Sequence, residues 1–287
     1  MALSNLLAAA LAAIVPFCAG KSAQAAPLPL GAHERTIGLS NESLTVFTYR
    51  PNCREPSLLV VLHGLGRTAH RYRDYARPLA DRHCLLVIAP LFDRDRFPQW
   101  RYQHGGIVRR GILQNPRRFT GNVIVELVDR IGRLEGRNMP YSLIGHSAGA
   151  QFLSRVSAFV TTDAQRIVLA NPGTLVFPDL GTDAPYGLGG VHAPATAQAA
   201  LRHYLAQPVT IYLGQDDTSD RDLNESAAAL AQGATRYQRG RNAFAAAQSA
   251  ARSNSWPLNW RLIEAPKVAH SARNMFASGE ASEALRP

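Results

Sequence analysis

Short apolar runs, separated by longer helical or irregular segments, recur along most of the sequence. Two segments that alternate apolar and polar residues come first, Glu34 to Leu39 and Leu44 to Arg50. Six apolar runs follow: Leu58 to Leu62, Leu85 to Ala89, Tyr141 to Ile144, Arg166 to Ala170, Val209 to Leu213 and Trp260 to Glu264. Runs of this length are typical of strands buried on both faces. Their alternation with helical segments predicts an α/β fold, a mostly parallel twisted sheet with helices on both faces.

Two alanine-rich stretches predict helices that cover this sheet, Ala195 to Ala206 and Ala227 to Ala251. The chain has 287 residues, of which 46% are hydrophobic, so it is long enough to bury one large core. We therefore expect a single domain over residues 26–287.

The first 25 residues have a different pattern. Leu6 to Gly20 is an apolar run too short to cross a bilayer comfortably, and Ala23-Gln24-Ala25 follows it as a small-x-small cleavage site. This predicts a secretory signal peptide over residues 1–25 and export to the periplasm or beyond. No Lys or Arg precedes the run, which leaves an uncleaved anchor or a cytosolic helix as alternatives. No other stretch has the length and hydropathy of a membrane span.

Two cysteines remain once the predicted signal peptide is removed, Cys53 and Cys84. Each lies just before a strongly apolar run, and neighbouring parallel strands would place the starts of those runs side by side. In an oxidising compartment this predicts a disulfide between the two. Two small buried thiols are the alternative.

The net charge of +10 adds little to the functional interpretation. Only two of the 31 basic residues are lysines, Lys21 and Lys267, and the arginines are scattered rather than clustered. Without a basic run interleaved with aromatic residues, nucleic acid is not an expected partner. The histidines lack metal-ligand spacing, and no phosphate-binding glycine motif follows a strand, so neither a metal nor an organic cofactor is expected.

One motif indicates chemistry. Gly145-His146-Ser147-Ala148-Gly149 follows the third apolar run, and apolar residues at helical spacing come after it. A serine at a sharp strand-to-helix turn, with glycines on both sides, matches the G-x-S-x-G nucleophile elbow. Ser147 is therefore the candidate nucleophile.

An acid and a histidine follow Ser147 in chain order, each just beyond a strand. A serine hydroxyl needs a base to accept its proton, and His270 is placed for that role. An acid must orient the imidazole, and Asp217, three residues after Gly214, is our choice. Asp216 is the main rival. Asp220 and Asp222 are lesser ones.

The negative oxygen that forms when a serine attacks a carbonyl needs fixed donors. In this architecture they are two backbone N–H groups, here predicted to be those of Leu65 and Ala148. Gly64 and Gly66 would let the backbone near Leu65 approach a substrate closely. We expect His63 to organise this loop rather than to transfer protons.

These motifs resemble the α/β-hydrolase superfamily over nearly the whole chain beyond residue 25. GHSAG, LGQDDT, VAHSA and the HG-x-x-R of His63 to Arg67 carry the resemblance. More narrowly, VLHGLGRTAHRYRD, APLFDRDRFP, ANPG, FPD and YGLGG resemble a bacterial group described as poly(3-hydroxybutyrate) depolymerase-like. In that group the acid occurs in the pattern GxxDT, which implies Asp217. The group often has glycine before its histidine, where this chain has Ala269.

The resemblance implies that residues 26–287 form a catalytic domain that cleaves carboxylic esters through an acyl-enzyme. Hydroxyalkanoate oligomers, acylated saccharides and small lipid esters are the candidate substrates. The same residues could cleave a thioester or an amide, and a catalytically silent protein that binds an envelope partner is the other class. The segments Phe97 to Tyr102 and Leu175 to Val191 are candidate pocket walls, with plain surface loops as the alternative.

Overall fold

The fold is built on an eight-stranded mixed sheet with helices on both faces. The computed structural model describes residues 27–287, so the predicted signal peptide of residues 1–25 lies outside it. In spatial order the strands are β1 (Gly31–Gly38), β2 (Ser43–Arg50), β4 (Leu85–Pro90), β3 (Ser57–Leu62), β7 (Tyr141–His146), β8 (Arg166–Ala170), β9 (Val209–Gly214) and β10 (Arg261–Ala265). The pairs β1–β2 and β2–β4 are antiparallel and the others are parallel. The predicted fold class is confirmed.

Helices connect the parallel strands. They are α1 (Ala69–His83), α2 (Gly121–Glu135), α3 (Ala148–Phe159), α4 (Pro194–Ala206), α5 (Ala227–Leu230), α6 (Arg236–Ser253), α7 (Ala272–Ala277) and α8 (Glu280–Ala284). A two-stranded hairpin, β5 (Val108–Arg109) and β6 (Ile112–Leu113), lies apart from the main sheet. Within residues 27–287, no helix has the length and apolar character needed to cross a membrane.

The side chains of each central strand divide between two cores because successive residues of a strand point to opposite faces. In β3, Leu58, Val60 and Leu62 pack into the core beneath α2, α3 and α6. Leu59 and Val61 pack into a second core with residues of α1, α7 and α8. A strand covered on both faces needs apolar residues at every position, which explains the uninterrupted runs in the sequence.

Among the predicted boundaries that differ from the structure, two have a clear physical cause. Trp260 precedes β10 rather than starting it, because its indole N–H donates to the carbonyl of Tyr204 (3.0 Å) and its ring is buried against α4. The alanine-rich stretch 227–251 is also not one helix. It is interrupted at Gly233, whose φ of +145° no helix accepts, and Thr235 caps the new helix α6 by accepting from the N–H of Gln238.

Cys53 and Cys84 are joined by a disulfide, with a Cα–Cα distance of 5.9 Å. The strands β3 and β4 are parallel neighbours, and Ser57 at the start of one pairs with Leu85 at the start of the other. The N–H of Ser57 also donates to the carbonyl of Cys84 (3.1 Å). The structure therefore has the bridge that the two adjacent strand starts predict.

Candidate active site

Ser147 lies at the sharp turn between β7 and α3. Its backbone has a φ of +56° and a ψ of −113°, a conformation that residues other than glycine rarely adopt. Such strain costs on the order of 1–3 kcal/mol and persists only where the surroundings impose it. Here they do, because β7 and α3 pack tightly around the turn and leave the serine at the carboxyl edge of the sheet.

The two glycines of the elbow are required by close backbone contacts. A Cβ on Gly145 would lie 2.4 Å from the carbonyl carbon of Gly149, and one on Gly149 would lie 2.4 Å from the oxygen of Leu62. Those atoms belong to backbone and cannot move aside. The first turn of α3 is thus pressed against the ends of β3 and β7.

The structure brings Ser147, His270 and Asp217 together. His270 Nε2 lies 3.0 Å from Ser147 Oγ, and His270 Nδ1 lies 2.6 Å from Asp217 Oδ2. The histidine follows β10 and the acid follows β9, so their proximity depends on the parallel order of the strands. The histidine side chain is 25% exposed and the acid 0% exposed, so solvent reaches the imidazole but not the carboxylate.

The rival acids make no hydrogen bond with His270, although Asp222 lines the same cavity as Ser147. Asp216 is exposed, and its N–H donates to the carbonyl of Val268 (3.0 Å). Asp220 and Asp222 are exposed as well. Among these four aspartates, only Asp217 is in hydrogen-bond contact with His270.

Leu65 and Ala148 both line one open cavity of about 250 Å³, together with Ser147 and His270. Ala148 begins α3, so its N–H is one of the first-turn donors without a partner inside the helix. Leu65 is in the loop between β3 and α1. Both residues are therefore close to the candidate nucleophile, as an anion-binding pair requires.

A histidine and an arginine support the loop that carries Leu65. His63 Nε2 accepts from the N–H of Phe92 (3.0 Å), which leaves Nδ1 to donate to the carbonyl of Gly64 (3.0 Å). Burial lowers the pKa of His63 to about 4, so the ring is neutral at physiological pH. Arg67 donates to the carbonyls of Phe92 and Phe97 and ties the same loop to the next one.

The segment Phe97 to Tyr102 supports this loop and does not wall the cavity. Phe97 and Tyr102 are fully buried, and the hydroxyl of Tyr102 donates to the carbonyl of His63 (2.7 Å). Neither this segment nor Leu175 to Val191 contributes a described residue to the cavity around Ser147. Phe97 to Tyr102 therefore does not form a wall of this cavity. Its buried aromatic residues form core beneath the loop instead.

Comparison with known proteins places this geometry in a family. No protein-family model and no curated protein matches the chain. Among solved structures, the poly(3-hydroxybutyrate) depolymerase LpqC from Bordetella parapertussis is 31% identical, with 87% of this chain and 88% of that chain covered and a TM-score of 0.80. Poly(aspartic acid) hydrolase-1 from Sphingomonas sp. KT-1 is also 31% identical, with coverage of 90% and 99% and a TM-score of 0.83.

The chain belongs to the α/β-hydrolase superfamily. An S-formylglutathione hydrolase from Staphylococcus aureus shares the fold at 15% identity, with 90% of this chain and 97% of that chain covered and a TM-score of 0.52.

Sequence reasoning missed an arginine beside the acid of this hydrolase. Arg236 Nη1 lies 3.6 Å from Asp217 Oδ1, and both side chains are buried. Arg236 also donates to the carbonyls of Ser219 and Arg221. Within residues 27–287, Oδ1 of Asp217 has no hydrogen-bond partner, so the guanidinium is the nearest compensation for its charge. Arginine is common in this chain, and nothing in its sequence distinguishes position 236.

An asparagine links the end of β9, which precedes Asp217, to the loop that carries His270. Asn171 follows β8; its Oδ1 accepts from the N–H of Gly214 (2.7 Å) and its Nδ2 donates to the carbonyl of Ala269 (3.3 Å). Its φ of +46° is one that asparagine tolerates better than most residues. Its position directly after a buried strand places it at the same sheet edge as Ser147, but the sequence does not indicate which loops it joins.

A second histidine packs on His270. The ring centroids of His146 and His270 are 4.7 Å apart, and His146 Nδ1 lies 3.2 Å from the hydroxyl of Tyr72. Burial holds the pKa of His146 well below its usual range and raises the pKa of Tyr72 to about 12. Both groups are therefore neutral, so no second positive charge lies against an imidazolium at position 270.

Proposed function

We propose that this protein is a serine hydrolase that cleaves carboxylic esters through an acyl-enzyme. Ser147 is the nucleophile, His270 the general base and acid, and Asp217 the residue that orients the imidazole. The single observation that carries the proposal is the continuous hydrogen-bonded series from Ser147 Oγ through His270 to Asp217 Oδ2 at the carboxyl edge of the sheet.

In the first half of the reaction, Ser147 Oγ attacks the ester carbonyl carbon while His270 Nε2 accepts the hydroxyl proton. The carbonyl oxygen becomes negative and accepts hydrogen bonds from the N–H groups of Leu65 and Ala148. When the tetrahedral species collapses, the carbon–oxygen bond to the alcohol breaks and His270 returns its proton to the leaving oxygen. Asp217 stabilises the imidazolium in between.

In the second half, a water molecule gives a proton to His270 and attacks the acyl carbon. The bond to Ser147 Oγ breaks, the serine regains its proton, and the acid product leaves. Apart from the substrate and this water molecule, the groups that take part in these steps are side-chain and backbone groups of the chain.

Among the candidate substrates, an oligomer of a hydroxyalkanoate has the best support, because one of the 31% identical structures is a poly(3-hydroxybutyrate) depolymerase. The other is a poly(aspartic acid) hydrolase, which favours amide cleavage as the second candidate activity. Comparing kcat/KM for a 3-hydroxybutyrate trimer and an aspartate trimer separates the two.

The decisive experiment is a Ser147→Ala variant, assayed with 4-nitrophenyl esters of graded acyl length and with a fluorophosphonate probe. We expect loss of labelling and a fall in kcat of at least about 10⁴-fold. Ser249→Ala on the exposed face of α6 is the matched control and should leave both unchanged. Labelling of another serine, located by mass spectrometry, or full activity of Ser147→Ala would overturn the proposal. A wild-type protein that reacts with neither esters nor probe would support the catalytically silent class.

We also propose that the protein is exported. The Cys53–Cys84 disulfide supports this, since such bonds form and persist in oxidising compartments. Cell fractionation, with the intact mass of the purified protein before and after reduction, tests it. Two free thiols in protein recovered from the periplasm would contradict the bridge, and a full-length cytosolic protein would contradict export.

A further inference from the structure

Gln151 is one of the polar residues of the candidate cavity that have no part in the mechanism above. Gln151 lies one helical turn after Ser147 on α3, and its N–H donates to the carbonyl of Ser147 (3.0 Å). Its side chain lines the same cavity of about 250 Å³ and is only 7% exposed. A long amide at this depth is held in place by the residues behind it.

The hydrogen bonds behind Gln151 fix which end of its amide faces the cavity. Arg155 can only donate, and its Nη2 lies 3.1 Å from Thr174 Oγ1, so that oxygen is the acceptor. The Thr174 hydroxyl donates its one hydrogen to Gln151 Oε1 at 2.9 Å. The amide oxygen is therefore satisfied inside the protein, which leaves Gln151 Nε2 as the group that is free to bind something else.

Two further observations concern Nε2. It makes no hydrogen bond to another residue within 27–287, and it is not among the fully buried polar atoms that lack a partner. A Cβ on Gly173 would lie 2.8 Å from it, so the absence of a side chain at position 173 makes room for this donor group. The donor therefore belongs to a residue that lines the cavity, and no described residue uses it.

The buried positive charge of Arg155 strengthens Gln151 Nε2 as a hydrogen-bond donor. Arg155 is 0% exposed, and within the described part of the chain it donates to Thr174 and to the carbonyl of Gln151 without forming an ion pair. A buried guanidinium that no carboxylate neutralises polarises the hydroxyl and the amide in front of it. An electron-rich oxygen is the partner that such an N–H group prefers.

We propose that Gln151 is a specificity-determining residue, whose Nε2 donates to a carbonyl or carboxylate oxygen of the substrate other than the one attacked. The proposal rests on the ester hydrolysis proposed above. An oligoester presents such an oxygen in the next ester group along its chain, and its free acid end presents one in the terminal carboxylate. A plain alkyl ester of the same length presents none and leaves the amide unsatisfied.

Matched pairs of esters test this. On the acyl side, 4-nitrophenyl esters of monomethyl succinate, glutarate and adipate are compared with 4-nitrophenyl alkanoates of equal chain length. On the alcohol side, the butyrate ester of methyl 3-hydroxybutanoate is compared with the butyrate ester of 2-hexanol, with acid release followed in a pH-stat. The butyrate of 3-hydroxybutanoate itself distinguishes a carboxylate from a neutral carbonyl. The readout is the ratio of kcat/KM within each pair.

We expect the wild type to favour the oxygenated member of at least one pair by roughly tenfold, the size of one hydrogen bond to a buried donor. Gln151→Glu, which keeps the shape but replaces the donor by an oxygen, should lower that ratio roughly tenfold. Thr174→Val should lower it as well, while Thr174→Ser, which keeps the hydroxyl, should not. Gln165→Glu, the same change at an exposed position before β8, should leave the wild-type ratio.

The outcomes separate this inference from the proposed function. If the wild type hydrolyses the esters but the ratios are equal in Gln151→Glu, Thr174→Val and the wild type on both sides, Gln151 is not a specificity residue and the proposed function stands. If the folded wild type hydrolyses no ester of any pair, the proposed function fails and this inference fails with it. Thermal melting of each variant identifies any that does not fold, and the two independent substitutions keep the test decisive.

Discussion

The two sides of His270 are built in opposite ways. Toward Ser147, the surroundings are glycine and backbone, and a Cβ at Gly145 or Gly149 would lie within 2.4 Å of backbone atoms. Toward Asp217, the surroundings include Arg236, one of the largest fully buried side chains of the described residues, and Arg239, another of them, follows about one turn later on α6. The Ser147 side is thus formed by close contact between backbones. The Asp217 side is formed by large side chains that fill the space between backbones.

The difference follows from what each side must satisfy. The elbow is a junction of regular elements, whose backbone groups are already hydrogen-bonded to one another. The acid lies at the start of segment 215–235, which is irregular apart from the short helix α5 and whose carbonyls need donors from elsewhere. Arg236 and Arg239 provide them, with Arg239 donating to the carbonyls of Gly173, Asn224 and Gly233.

The largest expected effect is on the acid side. Asp217→Asn should keep the fold and lower kcat by about 10²-fold to 10⁴-fold, because the imidazole loses the group that sets its tautomer and stabilises its charged form. Steady-state kinetics with a 4-nitrophenyl ester measure this. Asp216→Asn is the matched control, since Asp216 is exposed and only its backbone contacts the histidine loop. A crippled Asp216 variant beside a near-normal Asp217 variant would show that the acid is misassigned.

On the nucleophile side, Gly149→Ala should damage both stability and activity. The new methyl would meet the Leu62 carbonyl at 2.4 Å, so α3 must shift. We expect the free energy of unfolding to fall by about 3 kcal/mol, and kcat to fall by about 10²-fold because Ser147 moves with the helix. Urea unfolding and kinetics measure the two effects.

Gly38→Ala is the control for that change. Gly38 is the last residue of β1, and no described atom lies within 4 Å of a Cβ placed there. Its substitution should leave kcat as it is. An equal loss of activity in both variants would mean that the close packing of the elbow has no special role.

This contrast explains how much the sequence could predict. The elbow can be predicted from the sequence because its constraint is steric and local. Only glycine fits at positions 145 and 149, so both glycines are visible in the motif. Six of the eight strands of the main sheet were also predictable from apolar runs such as that of β3, and β1 and β2 from segments that alternate apolar and polar residues. Asp217 was distinguished from Asp216 by resemblance to a family pattern, whereas local chemistry left both open.

The arginines and the asparagine could not be predicted in the same way. Arg236 is 19 positions after Asp217 along the chain, and Asn171 contacts residues that are 43 and 98 positions away. Their roles depend on which loops meet in space, and neither residue type nor spacing records that. The interruption at Gly233 was missed for a related reason, because alanine content indicates helix wherever it occurs and tertiary contacts decide where a helix ends.

The ion pair on the acid side gives a smaller expected effect. Arg236→Met keeps the length of the side chain and removes its charge, so the buried carboxylate of Asp217 keeps only His270 as a partner. We expect a roughly tenfold lower kcat and a free energy of unfolding lower by about 3 kcal/mol. Arg241→Met, on the exposed side of the same helix, should change neither. Unchanged kinetics in Arg236→Met would restrict Arg236 to holding the carbonyls of Ser219 and Arg221.

The smallest effect concerns the neutral histidine on the nucleophile side. His63 is fully buried, and its pKa of about 4 in the folded state is below the ordinary value of 6.5. Below pH 6.5 the unfolded chain therefore binds a proton that the folded chain does not, so stability is present above that pH and is lost as the pH falls towards 4. Integrated from pH 8 to pH 5, this amounts to about 2 kcal/mol at 1.36 kcal/mol for each pKa unit.

Urea unfolding of the wild type and of His63→Gln at pH 8, 6 and 5 measures this contribution. His63→Gln lowers stability at every pH because the bond from the N–H of Phe92 is disturbed, but its loss between pH 8 and pH 5 should be about 2 kcal/mol smaller than that of the wild type. His33→Gln, at an exposed position on β1, should keep the wild-type pH dependence. Identical pH dependence in all three proteins would mean that His63 does not remain neutral in the folded state. The nucleophile side would then carry a buried charge, and its contrast with the ion-paired acid side would disappear.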